Sequence, residues 1–90
     1  MPVSVTVVFL ARAGDIVGKH FIRIQLDRGD PDLKHLIEEI GKQISPRFYR
    51  GVMTGRLVFS IFVNGKPVDE LSYKLKDGDR IVFTTPEMGG

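Results

Sequence analysis

The chain has no cysteine among its 90 residues, which excludes disulfides, thiolate nucleophiles and cysteine-held metals together. Such a chain is stabilised by secondary-structure packing alone, with an expected margin of ~5–10 kcal/mol. It is long enough for one small domain and too short for two independent cores. No apolar run approaches the ~20 residues that a membrane-spanning helix needs. The opening MPVSVTVVFLARAGD has no basic region ahead of its apolar stretch, so it reads as a strand and not as a signal peptide. A cytoplasmic location is expected, and the lack of cysteine is compatible with a reducing compartment. A strong charge of one sign is missing too: 13 cations stand against 11 anions, a net charge of +2. The cations are scattered along the chain, so neither a nucleic acid nor a membrane is expected as a partner. No G-x-x-x-x-G-K-[ST] phosphate loop, Ser-His-Asp arrangement or metal-ligand spacing is visible. No catalytic or metal-binding residue is therefore expected. His20 and His35, the two histidines, are isolated and read as solvent-facing or partner-contacting.

What is present is a sequence of periodic segments without a linker or repeat. Val3, Val5, Val7 and Phe9 alternate with Ser4, Thr6 and Val8, a two-residue period that predicts a first strand. ARAGDIVGKH reads as a turn or short loop. HFIRIQL alternates again, predicting an antiparallel hairpin with the first strand. Leu33, Leu36, Ile37, Ile40 and Ile44 form one helical stripe. Asp30 is the expected N-cap, with Pro31 at the first helical position and Asp32 in the first turn. Glu38 and Lys42 are spaced for an i, i+4 ion pair. Gly41 suits a close helix contact at a propensity cost of roughly 1 kcal/mol. Pro46 marks the expected helix end.

SPRFYRGVMTGR reads as a loop, with Phe48 and Tyr49 packing from it onto the core. LVFSIFV predicts an apolar strand with Leu57, Phe59, Ile61 and Val63 on one face. Asn64-Gly65 is a strong hairpin signal. Pro67 confines the next strand to an edge or a short length. KDGD supplies turn chemistry, with Asp77 and Asp79 flanking Gly78, and RIVFTT makes the last strand. One amphipathic helix needs one sheet face on which to bury its stripe. The reading is an α+β domain over residues 1–85, a mixed sheet of four to five strands on one main helix, followed by a tail over 86–90. This is the order of the β-grasp, or ubiquitin-like, fold.

Across essentially its whole length the chain resembles the MoaD/ThiS family of ubiquitin-like sulfur carriers. The resemblance is carried by VTVVFLARAGDIVGK, GDPDLKHLIEEI, IFVNGKPV and LKDGDRIVF, and by Gly89-Gly90 at the end. Its length and the segment between helix and third strand are closer to the molybdopterin synthase small subunit. The resemblance implies that an adenylyltransferase of the ubiquitin-activating kind (MoeB/ThiF type) uses ATP and magnesium to adenylate the carboxylate of Gly90. A sulfur donor then converts the acyl-adenylate to a thiocarboxylate. The sulfur passes to a molybdopterin precursor in the active site of a synthase large subunit (MoaE type). This chain would be a carrier, not an enzyme, and would bind no cofactor itself. The alternatives the family leaves open are conjugation of Gly90 to lysines of target proteins, as in the archaeal small modifiers, and sulfur supply for thiamine or tRNA thiolation. An interaction module with an inert terminus is the third reading.

The tail suits that chemistry physically. Gly89 and Gly90 carry no Cβ, so a narrow channel can close around their backbone. The five residues from Pro86 to Gly90 extend roughly 15–17 Å at ~3.3 Å per residue. Pro86 stiffens the base of the tail. Glu87 and Met88 stand where the family carries small or hydrophobic residues, so they bear on which partner the tail fits. For docking, Val58 and Phe62 with Val82 or Phe83 on the neighbouring strand are the candidate apolar patch. Arg47, Arg50, Arg56 and Arg80 are candidates for its polar rim.

Overall fold

The computed structural model describes residues 2–86. The elements are β1 (Val3–Phe9), α1 (Arg12–Val17), β2 (Phe21–Leu26), α2 (Leu33–Gln43), α3 (Pro46–Met53), β3 (Ser60–Val63), β4 (Lys66–Val68) and β5 (Arg80–Thr84). The five strands form one sheet in the order β2-β1-β5-β3-β4. β1 and β5 run parallel at its centre, and the remaining pairs are antiparallel. This is the mixed sheet expected from the strand order, and the fold is β-grasp.

Alternation decides which side chains enter the core. Val5, Val7 and Phe9 of β1, Ile24 and Leu26 of β2, Val63 of β3, and Ile81 and Phe83 of β5 are all buried on one face. They meet Leu33, Leu36, Ile37 and Ile40 of α2, which are fully buried as the helical stripe requires. Ile44 is the C-cap and is only partly buried against this core.

Four details of the helices correct the sequence reading. The segment ARAGDIVGKH contains a helix, α1, ended by Gly18 at φ 83°, whose N–H reaches the Gly14 carbonyl at 2.8 Å. Ala13, Ile16 and Val17 share its inner face, and that i, i+3, i+4 spacing outweighs the two glycines. The N-cap of α2 is Asp32, not Asp30. Asp30 sits at φ 59°, and Asp32 forms a β-bridge with Lys74, while the Pro31 carbonyl accepts from Leu75 N at 2.9 Å. Pro31 is thereby held outside the helix. Lys42 pairs with Glu39 at 3.6 Å, not with Glu38. Pro46 does not merely follow α2; it is the first residue of a further helix, α3, capped by Ser45, whose Oγ accepts from Phe48 N at 3.1 Å.

α3 is the largest departure, because its segment reads as a loop in sequence. Its Phe48 is fully buried and stands at the centre of an aromatic cluster. The ring centroids of Phe48 lie 5.7 Å from Phe9, 5.3 Å from Phe83 and 5.2 Å from Phe59, with edge-on geometry to the first two. Phe48 and Tyr49 do pack inward as expected, from a helix instead of a loop. The close approach of α2 and α3 depends on Gly41: a Cβ there would lie 2.5 Å from the Tyr49 Cβ.

The strand LVFSIFV is shorter than its composition predicts, since only Ser60–Val63 is paired. Leu57 turns back instead, with its side chain against Gly51. The Asn64-Gly65 turn is as expected, with φ 52° and 83° at its two residues, the backbone signature of a type I′ hairpin. Pro67 lies on β4, a three-residue strand at the sheet edge.

Candidate functional site

The sheet has one face under the helices and one face without them, and the register assigns residues to the second. Val8 is paired with Phe21 on β2 and with Val82 on β5. Val82 is paired with Phe62 on β3, and Phe62 with Pro67 on β4. Phe21, Val8, Val82, Phe62 and Pro67 thus form one apolar row across all five strands. Each alternates along its strand with residues of the core face. Phe21 is 60% exposed and Pro67 is exposed, while Val8, Val82 and Phe62 are partly covered by their neighbours in the row. A second row lies beside it, because Thr6 is paired with both Arg23 and Arg80. Two guanidinium groups flank an apolar stripe in this way.

The predicted docking residues divide accordingly. Phe62 and Val82 are direct cross-strand neighbours on the outer face, and Arg80 is exposed beside them. Phe83 is not part of the surface. It is fully buried, stacked 5.8 Å from Phe9, because odd positions of β5 point into the core. Val58 is 67% exposed but precedes β3, so it lies off the paired row. It lines a groove beside the sheet edge with Leu57, Phe59, Ile61, Val68 and Leu71. Sequence reasoning did not include Phe21, Val8 and Pro67. Alternation assigns Phe21 and Val8 to the outer face, but only the register aligns them with Phe62.

β5 carries the chain toward the tail. Thr84 is paired with Ser60, and Pro86, two residues on, is exposed. Val82 is therefore four residues before the described chain ends. Glu87, Met88, Gly89 and Gly90 lie outside the described residues.

β5 is held at its entry by turn chemistry. Ser4 N donates to Asp77 Oδ1 and Gly78 N to the Ser4 carbonyl, both at 2.8 Å. Asp79 Oδ2 accepts from Lys76 N at 2.8 Å, and Gly78 adopts φ 89°. Both aspartates of KDGD serve the turn, as their spacing predicts. His35 has a structural role that its isolation in sequence concealed. Its N–H donates to Asp32 Oδ1 at 3.0 Å, and its Nδ1 accepts from Asp32 N at 3.1 Å. Nδ1 also lies 3.2 Å from the Asp32 carboxylate, within the same cap. His20 is exposed. Among the described residues, no three His, Asp or Glu side chains come together in a way that could hold a metal ion, and no helix is long and apolar enough to cross a membrane.

No protein-family model matches the chain, and no curated protein matches it. Solved structures do. A protein assigned as molybdopterin converting factor subunit 1 from Pyrococcus furiosus is 29% identical, with a TM-score of 0.70 over 93% of this chain and 98% of that one. The complex of subunits 1 and 2 of the molybdopterin-converting factor from Helicobacter pylori matches at 25% identity and a TM-score of 0.63, covering 97% and 99%. Small archaeal modifier protein 1 from Methanosarcina acetivorans matches at 18% identity and a TM-score of 0.73, covering 100% and 99%. The chain is a ubiquitin-like β-grasp protein whose structural neighbours, converting-factor subunits and small modifiers, are consistent with the MoaD/ThiS family.

Proposed function

We propose that this protein is a sulfur carrier that works through the carboxylate of Gly90. The observation that supports this most is the near full-length match to a molybdopterin converting factor subunit at 29% identity, joined to Gly89-Gly90 in the sequence after β5. In this reading a Gly90 carboxylate oxygen attacks the α-phosphorus of ATP within an activating enzyme, and pyrophosphate leaves. Magnesium offsets the phosphate charge in that enzyme. Hydrosulfide, or the terminal sulfur of a donor persulfide, then attacks the acyl carbon and expels AMP. Hydrosulfide leaves the thiocarboxylate directly. A persulfide leaves an acyl disulfide whose S–S bond a second thiol cleaves, releasing the thiocarboxylate and forming a disulfide with the donor. The body of the protein contributes recognition and no catalytic group, because activation makes the carbonyl electrophilic without a base in this chain. The row from Phe21 to Pro67, rimmed by Arg23 and Arg80, serves as the docking face, on the strand that leads into the tail. Pro86, Glu87 and Met88 position the terminus.

The acceptor proposed first is a molybdopterin precursor held by a synthase large subunit, since one neighbour is a complex of converting-factor subunits 1 and 2. A second reading, conjugation of Gly90 to protein lysines, is favoured by the small archaeal modifier neighbours. Incubation with ATP, magnesium, a cognate activating enzyme and a sulfur source tests both. Intact mass should show exchange of one oxygen for sulfur at Gly90, and a residue appended after Gly90 should abolish it. No exchange with an enzyme competent on its own carrier rejects the sulfur-carrier reading. Lysine-linked adducts bearing the terminal peptide of this protein select the second.

A further inference from the structure

Charge is distributed unevenly along this chain in a way that the net value of +2 hides. Between Glu39 and Asp69 there is no carboxylate, while Lys42, Arg47, Arg50, Arg56 and Lys66 all fall in that interval. The fold gathers three of these cations. Arg47 and Arg50 on α3 and Arg56 just after it line one cleft of about 440 Å³ together with Gly51, Thr54 and Leu57. All three arginines are exposed, and among the described residues none forms an ion pair. Leu57 also lines the larger groove beside the sheet edge, about 690 Å³. That groove is walled by Val52, Val58, Phe59, Ile61, Phe62, Pro67 and Val68, with Asp69 as its one carboxylate. A cationic cleft and an apolar groove thus adjoin across one leucine.

We propose that this surface docks an acidic segment of a partner protein in which carboxylates are interspersed with apolar side chains. Charge complementarity argues for the acidic part, because planar guanidinium groups bind carboxylates with paired hydrogen bonds. The apolar part follows from the adjoining groove, where Val58 is 67% exposed. Nucleic acid is the poorer fit: no aromatic ring stands among the arginines, and Phe59 and Phe62 lie in the neighbouring groove. The three arginines also fall well short of a stripe that follows a phosphate backbone. The groove shares Phe62 and Pro67 with the outer row, whereas the three arginines lie outside that row, so the arginine variants test this surface apart from the Gly90 chemistry.

The experiment is a titration of the full chain, labelled with 15N, using a synthetic peptide that alternates glutamate and aspartate with leucine and phenylalanine. Amide shifts should concentrate in residues 47–58 and along β3, and the affinity should fall as salt is raised. Arg50→Glu and Arg56→Glu should each weaken binding on the order of tenfold while leaving the urea midpoint unchanged, since both side chains are exposed. Val58→Ser should weaken it without altering its salt dependence. Three results overturn the proposal: no shifts in this region, equal binding of the peptide with glutamine and asparagine in place of the acids, or occupation of the same residues by single-stranded RNA but not by the peptide.

Discussion

Asn64 and Asp79 are joined side chain to side chain, with Asn64 Nδ2 donating to Asp79 Oδ1 at 2.8 Å. Asn64 Oδ1 in turn accepts from Arg80 N at 2.9 Å. The two turn motifs, Asn64-Gly65 and Lys76-Asp77-Gly78-Asp79, are 15 residues apart at these partners and meet at one end of the sheet. Asn64 is therefore more than a residue that tolerates φ 52°. It ties the β3–β4 hairpin to the entry of β5. Asn64→Gly keeps the backbone geometry and loses both bonds, so it should destabilise by about 1–2 kcal/mol. Asn64→Ala should cost about 1 kcal/mol more from left-handed backbone strain. Urea unfolding measures both; an unchanged midpoint in Asn64→Gly would show that the link contributes nothing.

The capping box of α2 gives a second expectation. Asp32→Ala removes the acceptor for His35 N and should cost about 1 kcal/mol. His35→Gln retains a side chain able to accept from Asp32 N and should be close to neutral, whereas His35→Ala should fall below it. Thermal unfolding of the three variants decides the matter, and identical behaviour of His35→Gln and His35→Ala would remove the reciprocal bond from the account.

Gly41 and Gly51 test packing against propensity. Gly41→Ala gains about 1 kcal/mol of helix propensity but places a Cβ 2.5 Å from the Tyr49 Cβ. That contact is with an atom next to the backbone, so α2 and α3 must separate, at about 1–3 kcal/mol. The net effect should be destabilising. At Gly51 the obstructing atoms are Leu57 Cδ1 and Cγ, with Leu57 Cβ at 3.1 Å, all within one half-buried side chain. Gly51→Ala should also destabilise, because Leu57 must shift as a whole, and Leu57→Ala, which removes Cδ1 and Cγ, should recover part of that cost in the double variant. A stabilised Gly41→Ala would refute the close-approach reading.

The outer row makes a functional prediction that rests on the sulfur-carrier reading. Phe62→Ser and Val82→Ser should each reduce the efficiency of thiocarboxylate formation by roughly tenfold or more, with the fold retained. Phe83→Ala should instead lower stability by about 3–5 kcal/mol, although it is the adjacent residue. Circular dichroism and intact-mass kinetics on the same samples separate the two effects. Full activity in the Phe62 and Val82 variants would remove the row as the docking face.

Much of the fold is legible in the letters because its signals are local. Alternation in Val3–Phe9 and Phe21–Leu26, the stripe from Leu33 to Ile40, and the Asn64-Gly65 turn each act within a few residues. The two missed helices share one cause. In α1 and α3 the glycines that read as turn signals have other uses: Gly18 closes a helix, and Gly51 makes room for Leu57. α3 also holds Pro46 at its first position, where its missing N–H costs nothing. A proline and a tight contact look alike in sequence to a proline and a loop.

The candidate site divides the same way. The sequence by itself determined the succession of strands along the chain, the identity of most core positions and the Gly89-Gly90 pair on which the proposed chemistry depends. Alternation also separated inner from outer residues, although it did not show which neighbouring residue of β5 belonged to the surface. Only the tertiary structure decided that Val82 faces outward while Phe83 enters the core, and that Phe21, Val8, Val82, Phe62 and Pro67 share one row. The physical reason is register: a shift of one residue moves every side chain of a strand to the opposite face. Register is set by contacts distant in sequence, the β1–β5 pairing and the Ser4–Asp77 bond among them.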